Sequence, residues 1–288
     1  DHVKSSVAFS LDGVNIAVDC ANGSASVSAA RLFSDLGANA TVLFSEPDGL
    51  NINMNCGSTH MENLMEYVKT HECDLGLAFD GDADRCLAVD ENGKLVDGDK
   101  IIAICAHALQ QEGKLKKNTA VVTVMTNLGF FHFAKANQIA TKATKVGDRY
   151  VLERMREIGA SLGGEQSGHV IFLDENTTGD GLLSALHLLQ VMVDTGKPLS
   201  ELAKVMEVLP QALVNAKVAN HKKEKYMEYP EIATAIGKLE EKFAGEGRVL
   251  IRPSGTEPLV RVMIEGKDQQ VIQEEARKLA NLIQDIMF

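Results

Sequence analysis

Positive charge is what this sequence has too little of. Its formal net charge is −11, which argues against general binding to nucleic acid or to an anionic membrane surface. Any anionic substrate must then be drawn by a local cluster of arginine, lysine and metal. No apolar run approaches the ~18 residues of a membrane span, and no secretory signal is present. The chain opens on Asp1-His2 without a methionine and so reads as a fragment or a processed form. Five cysteines (Cys20, Cys56, Cys73, Cys86, Cys105) are scattered with no Cys-x-x-Cys pair. That spacing argues against a zinc site and fits reduced thiols used as small apolar filler in a cytoplasm. Internal repeats and low-complexity tracts are also missing.

What remains is ordinary globular material: 45% hydrophobic and 24% charged residues over 288 positions, enough for two or three domains with their own cores. Strand and helix patterns alternate. Strands are expected at 14–19, 40–44 and 74–79, with helices at 26–36 and from Ser58 to about His71, which makes a βαβαβ unit with parallel strands. A second round places helices at 99–111, 129–137, 148–158 and 181–194. Strands are expected at 120–124, 139–144, 160–163 and 169–173. The pattern loosens around Lys197-Pro198 and Leu209-Pro210, where a linker is expected. The last ~75 residues read as a small α+β module, with helices at 232–243 and 269–286. The expected fold is α/β, with two α/β domains of mixed or parallel sheets (1–98 and 99–213) and an α+β domain (214–288).

Residues 79–85, Phe-Asp-Gly-Asp-Ala-Asp-Arg, put Asp80, Asp82 and Asp84 at alternate positions. Carboxylates so close repel strongly unless a cation sits among them, and a hard divalent ion with oxygen ligands answers that need. Arg85 adds a fixed fork for a phosphate oxygen beside the metal. A solvated turn is the plainer alternative. The spacing also imitates a calcium EF-hand, with Glu91 at position twelve. Position six, however, is Arg85 where a glycine is needed, and the flanks read as strands. At the carboxyl end of its strand, the loop would sit where open α/β sheets bind ligands.

Two further loops carry chemistry. Gly163-Gly-Glu-Gln-Ser-Gly-His169 is either a decorated strand–strand turn or a polyol site. In the second case Glu165 accepts hydroxyl hydrogens, Ser167 bonds either way, and His169 bonds phosphate or shuttles a proton. Arg252-Pro-Ser-Gly-Thr-Glu257 is either an ordinary hairpin or a cradle for a dianionic phosphate, with Arg261 further along. It lacks the Gly-Lys-Ser/Thr ending of a P-loop. Lys145-Val-Gly-Asp-Arg149 could meet an anion at a helix start, although a capped entrance with solvated charges is the favoured reading. For Cys20-Ala-Asn-Gly-Ser24, plain turn chemistry is favoured.

With these three loops in this order, the chain closely resembles the α-D-phosphohexomutase superfamily. Asn22-Gly23 and Val146-Gly-Asp-Arg149 add to the likeness, which runs along nearly the whole chain. Gln166 and Val146–Arg149 resemble the phosphoglucosamine branch more than the phosphomannomutase/phosphoglucomutase branch. The resemblance implies four domains in the intact protein, of which these residues match the last three. The family's first domain carries a phosphorylated serine, and no such loop stands here, so this chain alone is expected to be inactive. By the same resemblance Asp80, Asp82 and Asp84 would hold Mg²⁺. Arg85 and Lys145 would serve the transferring phosphoryl group, Glu165, Ser167 and His169 the sugar, and Arg252, Ser254, Gly255 and Thr256 the second phosphate. The implied activity interconverts glucosamine-6-phosphate and glucosamine-1-phosphate through a phosphoserine and a bisphosphate. The alternatives are phosphomannomutase/phosphoglucomutase chemistry or a non-catalytic sugar-phosphate-binding module. The implied partners are a phosphorylated amino sugar and the serine domain, with neither nucleic acid nor membrane.

Overall fold

Ile16, Ala17 and Val18 are consecutive, apolar and buried, so β1 (Asn15–Asp19) is covered on both faces. In the computed structural model, which describes residues 9–288, the opening Asp1-His2 pair lies outside the described part. The two faces of β1 meet different neighbours. Ile16 and Val18 pack with Leu32 and Phe33 of α1 (Ala29–Asp35), while Ala17 packs with Leu64 and Val68 of α2 (Glu62–Thr70). β1 is the centre of a parallel trio with β2 (Asn39–Leu43) and β3 (Leu75–Phe79). β4 (Cys86–Asp90) and β5 (Leu95–Val96) extend it antiparallel, giving the order β2-β1-β3-β4-β5.

Helix α3 (Gly98–Gln111) follows, capped by the Asp97 side chain accepting from Lys100 N–H. The second sheet comprises β6 (Thr119–Thr123), β7 (Ala140–Thr144), β8 (Leu162–Gly164) and β9 (Val170–Phe172), in the order β7-β6-β8-β9. Its helices are α4 (Leu128–Ala136), α5 (Asp148–Ile158) and α6 (Gly181–Thr195). Ile101 and Ile102 of α3 and Leu186 of α6 share one core with Val18 of the first sheet and Val122 of the second. Both sheets therefore belong to one compact unit, residues up to 126 with 130–207. The short helix α7 (Leu199–Leu202) ends it.

The other unit consists of Asn127–Gly129 and 208–288. Its antiparallel sheet pairs β10 (Gln211–Lys217), β12 (Leu259–Glu265) and β11 (Arg248–Pro253) in that spatial order. The apolar stripes of α8 (Pro230–Phe243) and α9 (Gln269–Met287) cover one face, with Ile232, Ile236, Ile272 and Ile283 in the core. The segment 127–129 is fastened here by hydrogen bonds. The Asn127 amide donates to Leu209 C=O and accepts from Leu209 N–H, each at 3.0 Å. Leu128 N–H donates to the buried Glu265, whose main partner is Arg248.

The α/β reading holds, with three local differences. The stretch expected as a helix from Ser26 is a 3-10 turn (Ser24–Val27) before α1. The helix expected from Ser58 starts four residues later, after a separate turn closed by His60 N–H donating to Gly57 O at 3.0 Å. The stretch after Lys197-Pro198 is no linker, since Leu199 is fully buried.

Glycine matters most where α6 begins. A methyl on Gly181 would stand 2.6 Å from Arg85 O and 2.9 Å from Ala83 O. Gly181→Ala should cost about 1–3 kcal/mol in urea unfolding. Gly237 in α8 faces open space. There alanine should instead stabilise the C-terminal unit by about 0.5–1 kcal/mol.

Candidate functional site

The aspartate loop is the turn of the β3–β4 hairpin, at the carboxyl end of β3, and strands rather than helices flank it. Neighbouring backbone fixes its shape. Ser24 N–H donates to Gly81 O, Gly181 N–H to Ala83 O, and Cys86 N–H to Gly168 O, at 2.9, 2.9 and 3.0 Å. Ala83 adopts φ 60°, a left-handed conformation that costs a non-glycine residue about 1 kcal/mol or more. Those bonds hold it there.

The consequence is crowding of charge. One ligand atom from each of Asp80, Asp82 and Asp84 lies within 4.8 Å of the others. Asp80 is pushed up to about 6, by burial first and then by repulsion from Asp84 and Asp82, against a backbone bond from Arg85 that pulls the other way. Asp84 Oδ1 is buried without a hydrogen-bond partner. Arg85 Nε stands 3.5 Å from Asp80 Oδ2 and 3.6 Å from Asp84 Oδ1, and its half-exposed guanidinium balances only part of the charge. Unsatisfied carboxylate oxygen, an all-oxygen donor set and surplus negative charge fit a hard divalent cation.

The second loop is the turn of the β8–β9 hairpin, so the plainer geometric reading was also true of it. It is tied to α3: Gly98 N–H donates to Gln166 C=O, and the Gln166 amide donates to Asp97. Glu165 Oε1 accepts from Gly147 N–H at 2.9 Å, which brings the Lys145–Arg149 segment to the same hairpin. Lys145 is exposed just beyond β7, and Ser167 is exposed at the hairpin tip. Arg149 is spent on Glu153 along its own helix, as a solvated helix entrance would have it.

His169 stands at the end of the second loop, next to β9. It is only 2% exposed, and its Nδ1 lies 3.0 Å from Asp84 Oδ2. Its partner is the metal loop.

The third loop belongs to the C-terminal unit, on the hairpin between β11 and β12. Arg252 and Arg261 are direct cross-strand partners and share a face. Burial, and then Arg261, push the Arg252 guanidinium below its ordinary value. Arg261 bonds Glu257, yet its Nε is buried without a partner. Ser254 is buried and its Oγ accepts from Glu257 N–H, while Gly255 and Thr256 are exposed at the tip. Two cations, a hydroxyl and an open turn can receive a phosphate dianion.

Sequence reasoning left Arg261 undecided, because its facing depends on hairpin register. Two residues it missed are Asp19 and Asp97. Asp19 is buried, bonding Ala21 and Gly57 N–H and so shaping the turn after β1. Asp19 ends β1 before a turn and Asp97 stands between β5 and α3, and an aspartate at the end of an apolar run was the available signal. The Cys20–Ser24 segment is the plain turn expected, with Asn22 bonding Glu46 N–H. All five cysteines are free and buried. Among the described residues no helix is long and apolar enough to cross a membrane.

Comparison with known proteins adds the lineage. Residues 1–93 match the family model for phosphoglucomutase/phosphomannomutase alpha/beta/alpha domain II, 97–209 that for domain III, and 213–282 that for the C-terminal domain. The phosphoglucosamine mutase of Clostridium acetobutylicum is 58% identical over 281 residues, covering 98% of this chain and 63% of that protein. The Clostridium perfringens SM101 protein of the same name is 59% identical with the same coverage. The chain thus spans a little under two thirds of these relatives. Among solved structures, a phosphoglucomutase/phosphomannomutase family protein of Burkholderia thailandensis has the same fold, with TM-score 0.78 and 23% identity over 100% of this chain and 64% of that one. An Aspergillus fumigatus N-acetylphosphoglucosamine mutase in complex with GlcNAc-6P and magnesium gives TM-score 0.79 and 21% identity over the same shares. With all three segments matched in order, the chain belongs to the phosphoglucomutase/phosphomannomutase family, the α-D-phosphohexomutases.

Proposed function

We propose that this chain is the metal-, sugar- and phosphate-binding part of an enzyme that interconverts glucosamine-6-phosphate and glucosamine-1-phosphate. The observation that carries the reading is the trio Asp80, Asp82 and Asp84, brought within 4.8 Å beside Arg85. The names of the relatives support the amino-sugar substrate. The magnesium bound in the fungal structure supports Mg²⁺, as does the hard oxygen donor set. The phosphoryl donor is a phosphoserine on a segment outside these residues. Five unpaired thiols suit a reducing cytoplasm. Functional domains are taken as 1–98, 99–213 and 214–288.

Asp80, Asp82 and Asp84 hold Mg²⁺, which when bound neutralises charge on the moving phosphoryl group. Arg85 donates N–H to an oxygen of that group. Lys145 serves the proton transfer that accompanies it. Glu165, with one oxygen committed to Gly147, accepts a sugar hydroxyl hydrogen with the other, and Ser167 bonds a further hydroxyl. Arg252, Ser254, Gly255 and Thr256, joined by Arg261, hold the phosphate that is not reacting. A bisphosphate intermediate reverses in the site and returns its other phosphoryl group to the serine. The protein's contribution is position and preorganised charge.

Asp82 is exposed, so losing its charge disturbs little besides a bound cation. Asp82→Asn should weaken Mg²⁺ binding by calorimetry at least about tenfold with an unchanged melting temperature; undiminished binding would sink the metal assignment. In the intact enzyme, Arg252→Ala should raise KM for glucosamine-6-phosphate at least about tenfold. An unchanged KM would argue against the phosphate role, and equal kcat/KM for mannose-6-phosphate against the amino-sugar substrate.

A further inference from the structure

We propose that Asp148 is a specificity-determining residue for the amino sugar, its carboxylate receiving the ammonium group at C2 of glucosamine-6-phosphate. This rests on the reading of the substrate given above and adds the residue that selects it. The segment carrying Asp148 is fastened to the sugar hairpin. Gly147 N–H donates to Glu165 Oε1 at 2.9 Å, and Asp148 is the next residue, its Cα about 3.8 Å from that of Gly147. Gly147 has φ 128° and ψ 130°, a conformation that glycine adopts without the steric cost of a side chain. The turn into α5 is thus held against the Glu165 carboxylate by its own backbone.

Three charged side chains stand on this turn, and they are not equivalent. Arg149 is taken up by Glu153, Nε to Oε1 at 2.7 Å. Lys145 and Asp148 are exposed, and neither has a hydrogen-bond or ion-pair partner among the described residues. A free cation here suits a phosphorylated ligand. A free anion does not, because it repels a phosphate dianion unless the ligand also carries positive charge. Glucosamine-6-phosphate carries it as the ammonium at C2, where glucose-6-phosphate has an uncharged hydroxyl. Lys145 and Asp148 together therefore complement a zwitterion. On the pyranose ring the C2 substituent adjoins a hydroxyl, and in the protein Asp148 adjoins the backbone that grips the hydroxyl acceptor Glu165. As the first residue of α5, Asp148 also lies at the positive end of the helix dipole, which favours its ionised form. Selection then has two sides: the carboxylate attracts the cationic sugar, and toward the uncharged one it offers only repulsion of the phosphate.

The test compares kcat/KM of the intact enzyme, serine domain included, for glucosamine-6-phosphate and glucose-6-phosphate, with thermal unfolding as a monitor of the fold. Asp148→Asn should lower kcat/KM for the amino sugar at least about tenfold more than for glucose-6-phosphate. Asp148→Glu, which keeps the charge, should recover part of the preference. A carboxylate that merely steadies the start of α5 would, when removed, affect both substrates alike and leave their ratio unchanged. That outcome overturns the role of Asp148, provided the unsubstituted enzyme prefers the amino sugar. If the unsubstituted enzyme turns over both sugars equally well, the amino-sugar reading itself falls, and the role of Asp148 falls with it.

Discussion

Mutual repulsion among three carboxylates is the constraint around which the first unit is arranged. Left to itself, a loop carrying Asp80, Asp82 and Asp84 would splay them into water. Here Ser24, Gly181 and Gly168 engage the loop or the residue that leaves it through backbone hydrogen bonds, and a left-handed Ala83 completes the turn. Burial first, and then the neighbouring carboxylates, displace Asp80 upward. Packing elsewhere must supply the free energy that keeps this charge together, and the shared core of both sheets is where it is found.

The C-terminal unit meets the opposite difficulty. Arg252 and Arg261 face each other across a hairpin, and like charges directly opposite on a sheet are destabilising. Glu257 offsets part of that through Arg261, and Glu265 takes up Arg248 at the far end of the same strands. In a chain of net charge −11, this arginine pair gathers positive charge locally. An anion drawn to that pair would respond to local arrangement and not to overall composition.

Much of this was legible in the sequence, for identifiable reasons. Alternating apolar runs marked the parallel strands, because β1 is buried on both faces. The spacing of the aspartates pointed to a divalent cation through mutual repulsion, with a solvated turn as the plainer alternative. The order of three loops identified the family. The facing of Arg261 was not legible, since a one-residue change in hairpin register reverses it. The surroundings of His169 were hidden for a different reason. Its partner Asp84 is 85 positions away. Sequence reasoning therefore grouped the histidine with Glu165 and Ser167 and gave no sign of the Asp84 contact. The start of α2 was misplaced because a separate turn, closed by His60 N–H on Gly57 O, occupies the residues that carry the helix signal.

Asn127–Gly129 count with the C-terminal unit although some eighty positions separate them from it along the chain. That unit is consequently not a portable cassette. A gene segment beginning at residue 208 would encode a sheet whose Leu209 backbone lacks the Asn127 amide and whose Glu265 lacks the Leu128 amide hydrogen. Recombination that exchanged such a segment between paralogues would have to carry a three-residue patch from far upstream or accept mismatched hydrogen bonds. Inheritance of the stretch from Asn127 to Phe288 as a block is the outcome this stitching favours.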